Sequence, residues 1–185
     1  MVAGLSRLFV AVQLTTEARH ALADRVLAAA PGGLPGRPVP PPNWHLTLRF
    51  LGDVEAVGQD RVLAALDQAD LGAPFTVTWG APGAFPRPRR AAVLWVGADR
   101  GADHLESLAA ATEEAAVSAG FPDEDRPFRP HLTLSRIRPE EDVTSLLAAM
   151  PPLGVVMPVD RIVLYRSHLG RGGASYQEIE EFPLG

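Results

Sequence analysis

Two histidines stand in matching surroundings. His45-Leu46-Thr47-Leu48 recurs as His131-Leu132-Thr133-Leu134, nearly half the chain later. Each copy follows a turn-rich segment, Pro40-Pro41-Pro42-Asn43 in the first case and Arg126-Pro127-Phe128-Arg129-Pro130 in the second. An imidazole, with an ordinary pKa of about 6.5, both takes and gives a proton near neutral pH. Threonine hydroxyls donate to oxygens on which negative charge grows. Two of each suit in-line attack of water on a cyclic phosphodiester. One imidazole serves as base toward the water, and the other as acid toward the departing ribose oxygen. A five-membered cyclic phosphate is strained, so neither a metal nor a cofactor is expected.

A strand is the element that presents such groups together. Alternation with a period of two puts His45 and Thr47 on one face and Leu46 and Leu48 on the other. The same holds for His131 and Thr133 against Leu132 and Leu134. One such tetrapeptide is only an alternating strand with a polar face. Its repetition favours a catalytic pair, because a buried strand has no reason to repeat both the histidine and the threonine. Two related lobes, each giving one strand to a shared cleft, are the arrangement the repeat implies. By parity Arg49 shares the face of His45 and is a candidate phosphate contact. Strict alternation puts Ser135, not Arg136, on the face of His131. A two-histidine metal site is the weaker alternative, since neither motif carries a carboxylate at ligand spacing. Asp53 lies eight residues after His45 and has no mirror in the second copy.

The rest of the chain alternates strand-like and helix-like stretches. Leu8 to Leu14 reads as a buried strand, and Thr15-Thr16-Glu17 opens a helix to about Ala30 with a threonine cap. Pro31 to Pro42 is a loop. Trp44 to Leu51 reads as a strand, Val54 to Ala69 as a helix, and Phe75 to Trp79 and Ala92 to Val96 as strands around a Pro/Arg-rich turn. Ala102 to Ala119 is a helix closed by Gly120 in the left-handed region, with Pro122 after it. His131 to Ile137 is a strand and Glu140 to Met150 a helix. Val155 to Tyr165 and Ser175 to Glu181 read as two final strands. The mixture is that of an α+β fold.

Composition narrows the chemistry further. The 185 residues are 46% hydrophobic with a formal charge of −5, enough to bury a substantial core. There is no cysteine, which removes disulfides, thiolate nucleophiles and Cys-ligated zinc. There is no lysine either: all 17 basic residues are arginine, so a P-loop and a lysyl–nucleotide intermediate are both excluded. The acidic balance argues against a general nucleic-acid coat but not against recognition of one phosphate at an RNA end. No run reaches the roughly 18 apolar residues of a membrane span. Met1 to Val10 lacks the layout of a secretory signal, and a soluble cytoplasmic monomer is expected.

The paired motifs and their flanks resemble the 2H phosphoesterase superfamily, and within it the RNA 2′,3′-cyclic phosphodiesterase (LigT-like 2′-5′ RNA ligase) family. The flanks are Arg7-Leu8-Phe9-Val10-Ala11, Asn43-Trp44-His45 through Gly52, Arg126 through Leu134, and Leu164-Tyr165-Arg166-Ser167 through Tyr176. The resemblance spans essentially all of residues 1–185. It implies a bilobal fold with two antiparallel sheets flanking a central cleft, helices outside, and one motif per lobe. It implies metal-independent hydrolysis of RNA 2′,3′-cyclic phosphate ends, such as those of tRNA halves, to 2′-phosphomonoesters, with 2′-5′ ligation as the reverse step. His45 would then be the general acid, His131 the general base, and Thr47 and Thr133 the phosphate holders. The family pattern also assigns an arginine shortly after the second motif, here Arg136, which reaches the phosphate only if the strand ends or bulges. Phe9 is a candidate nucleobase platform, with the turn Phe85 to Arg90 as a basic rim, although its apolar neighbours favour a plain core position. Two other readings are a 2H phosphodiesterase of another small cyclic nucleotide, such as ADP-ribose cyclic phosphate, and a non-catalytic binder of nucleotides or RNA ends. Loss of a motif histidine or threonine would mark the binder; all four are present.

Overall fold

A computed structural model describes residues 5–170 and 173–185. Met1–Gly4, part of the stretch read above for a secretory signal, lies outside them. The elements run β1 (Ser6–Gln13), α1 (Thr16–Ala29), β2 (Arg37–Pro38), a 3-10 turn (Pro41–Asn43), β3 (His45–Val54), α2 (Ala56–Asp67), β4 (Phe75–Arg87), β5 (Arg90–Arg100), α3 (Ala102–Ser118), β6 (His131–Glu141), α4 (Thr144–Ala149), β7 (Val155–Val159), β8 (Arg161–Gly170) and β9 (Gly173–Pro183). They form two antiparallel sheets, one in the order β3-β1-β8-β9 and the other β2-β6-β5-β4-β7. The fold is α+β, as expected.

The helices form where the sequence places their signals. The Thr15 hydroxyl accepts from the Ala18 amide at 3.2 Å and caps α1, whose buried side chains, Ala18, Leu22 and Val26, recur every four residues. α3 buries Leu105, Leu108, Ala109, Thr112, Ala115 and Ala116 along one face. It ends where Gly120, at φ 90°, takes the left-handed conformation. α3 lies against both β3 and β5, so one helix spans the two sheets. A continuous core joins Leu8, Val10, Leu46 and Leu164 of the first sheet to Val77, Trp79, Val96 and Leu132 of the second. Among the described residues, no helix is long and apolar enough to cross a membrane.

Three expectations about elements need correction. The stretch Val155 to Tyr165 is not one strand: it divides at Asp160 into β7 and β8, which belong to different sheets. Glu140 to Met150 is not one helix. β6 continues to Glu141, and only Thr144–Ala149 is helical, after an Asp142 carboxylate that accepts from the Thr144 amide at 2.9 Å. The strands around the Pro/Arg-rich turn are far longer than Phe75 to Trp79 and Ala92 to Val96, forming a hairpin from Phe75 to Arg100. Glycine is what lets β4 continue: a Cβ on Gly83 would lie 2.3 Å from the Trp95 ring.

β2, though short, docks the segment ahead of the first motif onto the strand of the second. Arg37 and Pro38 pair with Arg136 and Ser135, and the Val39 amide donates to the Leu134 carbonyl at 2.9 Å. Gly36 permits this approach. Its φ is +71°, and a Cβ there would sit 2.5 Å from the Arg136 carbonyl oxygen. Gly36→Ala is therefore expected to cost about 1–3 kcal/mol, read as a lower urea midpoint at unchanged slope. An unchanged midpoint would show that this segment is not docked on β6 as described.

Candidate active site

His45 and His131 open β3 and β6, and the two strands approach one another across the space between the sheets. Both rings are anchored by the same device. Nδ1 of His45 lies 2.8 Å from the Asn43 carbonyl oxygen, and Nδ1 of His131 lies 2.6 Å from that of Arg129, two residues upstream in each case. A carbonyl oxygen only accepts, so Nδ1 carries a hydrogen whatever the charge of the ring. Nε2 is left to take or release the working proton.

Each motif strand carries a one-residue bulge at its fourth motif position. In the first sheet the pairing runs Gln13 to His45 and Ala11 to Thr47, then slips to Val10 opposite Arg49, passing over Leu48. In the second it runs Gly97 to His131 and Trp95 to Thr133, then slips to Leu94 opposite Ser135, passing over Leu134. Cross-strand partners share a face of the sheet, so each slip reverses the parity beyond it. Two expectations change as a result.

Arg49 does not share the face of His45. It lies beside Val10 on the core side, 7% exposed, and its guanidinium is taken up by Glu113, Glu124 and the carbonyls of Phe50 and Pro122. Arg136, opposite Val93, comes onto the face of His131 and Thr133, while Ser135 turns inward and is fully buried. The Arg136 guanidinium lowers the proton affinity of both imidazoles, and His131 further lowers that of His45. The three groups are thus within electrostatic reach of one another. Thr47 and Thr133 stand half-buried on the same faces as their histidines.

Aromatic rings wall both imidazoles. The His45 centroid lies 4.8 Å from that of Phe9 and 4.9 Å from that of Tyr176, with Tyr165 at 6.4 Å. The His131 centroid lies 5.1 Å from that of Phe85 and 6.3 Å from that of Trp95. Phe9 must be corrected as a nucleobase platform. Its ring is 3% exposed, stacked on Tyr165 at 5.3 Å, and forms the floor under His45. Sequence reasoning passed over Trp95 and Tyr176 as walls, placed Phe85 in a basic rim and left Tyr165 open between platform and core. It also passed over Phe50, which the repeat could have flagged: Phe50 follows His45 by the interval at which Arg136 follows His131. Of the other histidines, His20 and His104 are exposed on helices, and His168 ends up on β8 rather than in a loop.

Burial dominates the electrostatics of the pair. Desolvation pushes His45 from 6.5 down to about 4, partly opposed by its bond to Asn43 and reinforced by Arg136 and His131. Desolvation also lowers His131, against its bond to Arg129 and with help from Arg136. Both rings are therefore neutral near pH 7 in the free protein.

Two antiparallel sheets that each bring a His-x-Thr strand to one cleft define the two-histidine, or 2H, class of phosphoesterases. A family model described as the 2′-5′ RNA ligase superfamily matches residues 37–171, and the chain belongs to that superfamily. A protein of Thermus thermophilus named RNA 2′,3′-cyclic phosphodiesterase is 36% identical, over 96% of this chain and 90% of its own length. A protein of the same name from Aeropyrum pernix is 33% identical, over 80% of this chain and 86% of its own length. The crystal structure of Escherichia coli LigT complexed with 3′-AMP superposes with a TM-score of 0.80 at 29% identity, covering 97% of this chain and 98% of that one.

The low proton affinity of His45 has a consequence for stability. An unfolded imidazole binds its proton below about 6.5, whereas folded His45 stays neutral down to about 4. Across that window the unfolded state binds more protons, so stability rises with pH and is lost as pH falls. The drop in thermal midpoint between pH 7 and pH 4.5 is expected to shrink in His45→Asn. An equal drop in variant and parent would contradict a neutral, desolvated His45.

Proposed function

We propose that this chain hydrolyses the 2′,3′-cyclic phosphate ends of RNA to 2′-phosphomonoesters, as a monomer and without a metal, on cytoplasmic RNA such as tRNA halves. The reading is supported by two imidazoles anchored alike through Nδ1 and within electrostatic reach of Arg136, with Thr47 of one motif and His131 of the other lining one groove. Both imidazoles come from a single chain, so one copy holds the whole reacting set.

In the step itself, Nε2 of His131 takes a proton from water as the water oxygen bonds to phosphorus. The bond from phosphorus to O3′ breaks, and O3′ receives the proton held by Nε2 of His45. Thr47, Thr133 and Arg136 hold the non-bridging oxygens, where charge builds. A desolvated imidazolium gives up its proton readily, which suits His45 to a departing alkoxide. It acquires that proton together with the substrate, whose anionic phosphate offsets the field of Arg136.

The nucleoside attached to that phosphate has a place to go. A groove of about 460 Å³ runs outward from Thr47 and His131, lined by Phe50, Ala109, Phe128 and Arg129 among others. The Phe50 ring is 41% exposed, with the Arg7 guanidinium 5.1 Å from its centroid. A base stacked on an aromatic ring gains about 1–3 kcal/mol whatever its identity, as a processor of RNA ends requires.

A short RNA ending in a 2′,3′-cyclic phosphate, incubated with EDTA, is expected to yield a 2′-phosphate. His45→Ala and His131→Ala should each abolish nearly all turnover, and the double variant should lose little more than either alone. Normal product formation without either imidazole would sink the assignment, EDTA-sensitive turnover would bring back a metal, and tight binding without turnover would mark a binder. Phe50→Ala should raise KM roughly tenfold with kcat nearly kept; an unchanged KM would put the base elsewhere.

A further inference from the structure

The residues that the two bulges turn inward, Arg49 and Ser135, occupy equivalent positions, each four residues after its motif histidine. Among the described residues, neither is hydrogen-bonded to its own motif's approach segment. Arg49, on the strand of His45, donates to the Pro122 carbonyl and pairs with Glu113 and Glu124. Pro122 and Glu124 belong to the segment that leads into His131. Ser135, on the strand of His131, donates its hydroxyl to the Pro35 carbonyl. Pro35 begins the segment that leads, through β2 and the 3-10 turn, into His45.

Both approach segments end in the carbonyl that holds the imidazole: Asn43 for His45 and Arg129 for His131. Hydrogen bonds lock them further. The Glu124 amide donates to Glu113 at 2.8 Å, and the Arg126 amide to the Glu124 carboxylate at 3.3 Å. In the other lobe the Val39 amide donates to the Leu134 carbonyl, at the bulge itself. Each histidine is thus anchored by a segment gripped from the opposite motif strand.

We propose that Arg49 and Ser135 are reciprocal positioning residues: each bulge side chain holds the approach segment of the other lobe's histidine, and together they set how the two imidazoles face one phosphorus. The inference rests on the acid–base pair proposed above for its kinetic consequence, but not for its structural one. Arg49 suits its half of the task because its planar fork reaches two carboxylates and two carbonyls at once, which an ammonium does not do. Ser135 suits the other half because only a small hydroxyl fits at a site with no exposure.

The test is crosswise. Imidazole ring-proton NMR signals of His45 and His131 are shifted by their aromatic neighbours, Phe9 and Tyr176 in one case and Phe85 in the other. They therefore report ring displacement, and His45→Asn and His131→Asn assign them. Ser135→Ala is expected to move the His45 signal and leave that of His131 in place. Arg49→Gln is expected to move the His131 signal and leave that of His45, with Arg49→Lys restoring it only in part. On the cyclic phosphate substrate each variant should lose roughly tenfold or more in kcat with KM changed less than twofold, the mark of misplaced reacting groups. Signals that move in the variant's own lobe, or in neither, overturn the proposal. So does a lower thermal midpoint with both signals and kcat unchanged at low temperature. A parent protein that turns over no cyclic phosphate defeats the proposed function alone, because the crosswise shifts remain readable without turnover. Arg49→Gln is the harsher change for folding, and Ser135→Ala, which removes one oxygen, keeps the test available if it fails to fold.

Discussion

The site depends on one residue too many in each of two strands. A regular strand that buried Leu46 and Leu48 would carry Arg49 onto the cleft face, and one that buried Leu132 and Leu134 would carry Ser135 there. The slips at Leu48 and Leu134 reverse both outcomes. Buried leucines on two successive core positions, followed by an inward polar residue, then leave the next side chain free to rejoin the histidine's face. Arg136 owes its place on the face of His131 to this, and Phe50 owes its place along the neighbouring groove to the slip in β3. The irregularity occurs at the same motif position in both strands, so each sheet turns its motif's next two side chains the same way.

Burial then gives the chemistry its character. Each imidazole is pinned through Nδ1 to a carbonyl and bordered by aromatic rings, which exclude water and disfavour the charged form. The cost is that neither ring holds a proton at neutral pH while the cleft is empty. Burial is the larger part of that cost, and Arg136 adds to it by opposing protonation of both rings. Tyr165 belongs to the same enclosure: desolvation, then Glu178, pushes its phenol above the ordinary tyrosine range, so it stays neutral beside Phe9 and His45.

Much of this was legible in the residues and some was not, for identifiable reasons. The repeated tetrapeptide disclosed two strands and two imidazoles, each on the face of its threonine, because His and Thr at a spacing of two share a face in any strand. Helix ends were legible at Thr15 and Gly120, where local chemistry decides. What failed was every inference that carried strict alternation past the motif. Arg49 was misplaced and Arg136 doubted because a bulge leaves no mark in composition; it shows only in how a strand pairs with its neighbour. Phe9 could be read as platform or as core for a related cause. Its alternation is regular, but whether the face it joins is open or covered is settled by Tyr165 and Tyr176, far away in the chain. The division of Val155 to Tyr165 at Asp160 was likewise a matter of which sheet each half joins.

The near-symmetry of the lobes ends where the ligand's own asymmetry begins. A cyclic nucleotide carries charge at one end and a flat, largely apolar base at the other. Unlike side chains stand at like positions, Arg136 after the second motif and Phe50 after the first, and the proposed roles divide along that line. Inside the bulges the same division recurs, an arginine with two carboxylates on one side and a serine on the other. The groove beside Phe50 is walled by Ala109, Phe128 and Pro127, whereas the one beside Arg136 is lined by Arg37, Asn43 and Tyr176. A duplicated strand therefore supplies what is equivalent, two imidazoles anchored alike through Nδ1. The positions just beyond it supply what must differ, and the bulge is the hinge between the two requirements, because it fixes which of those positions meets the ligand at all.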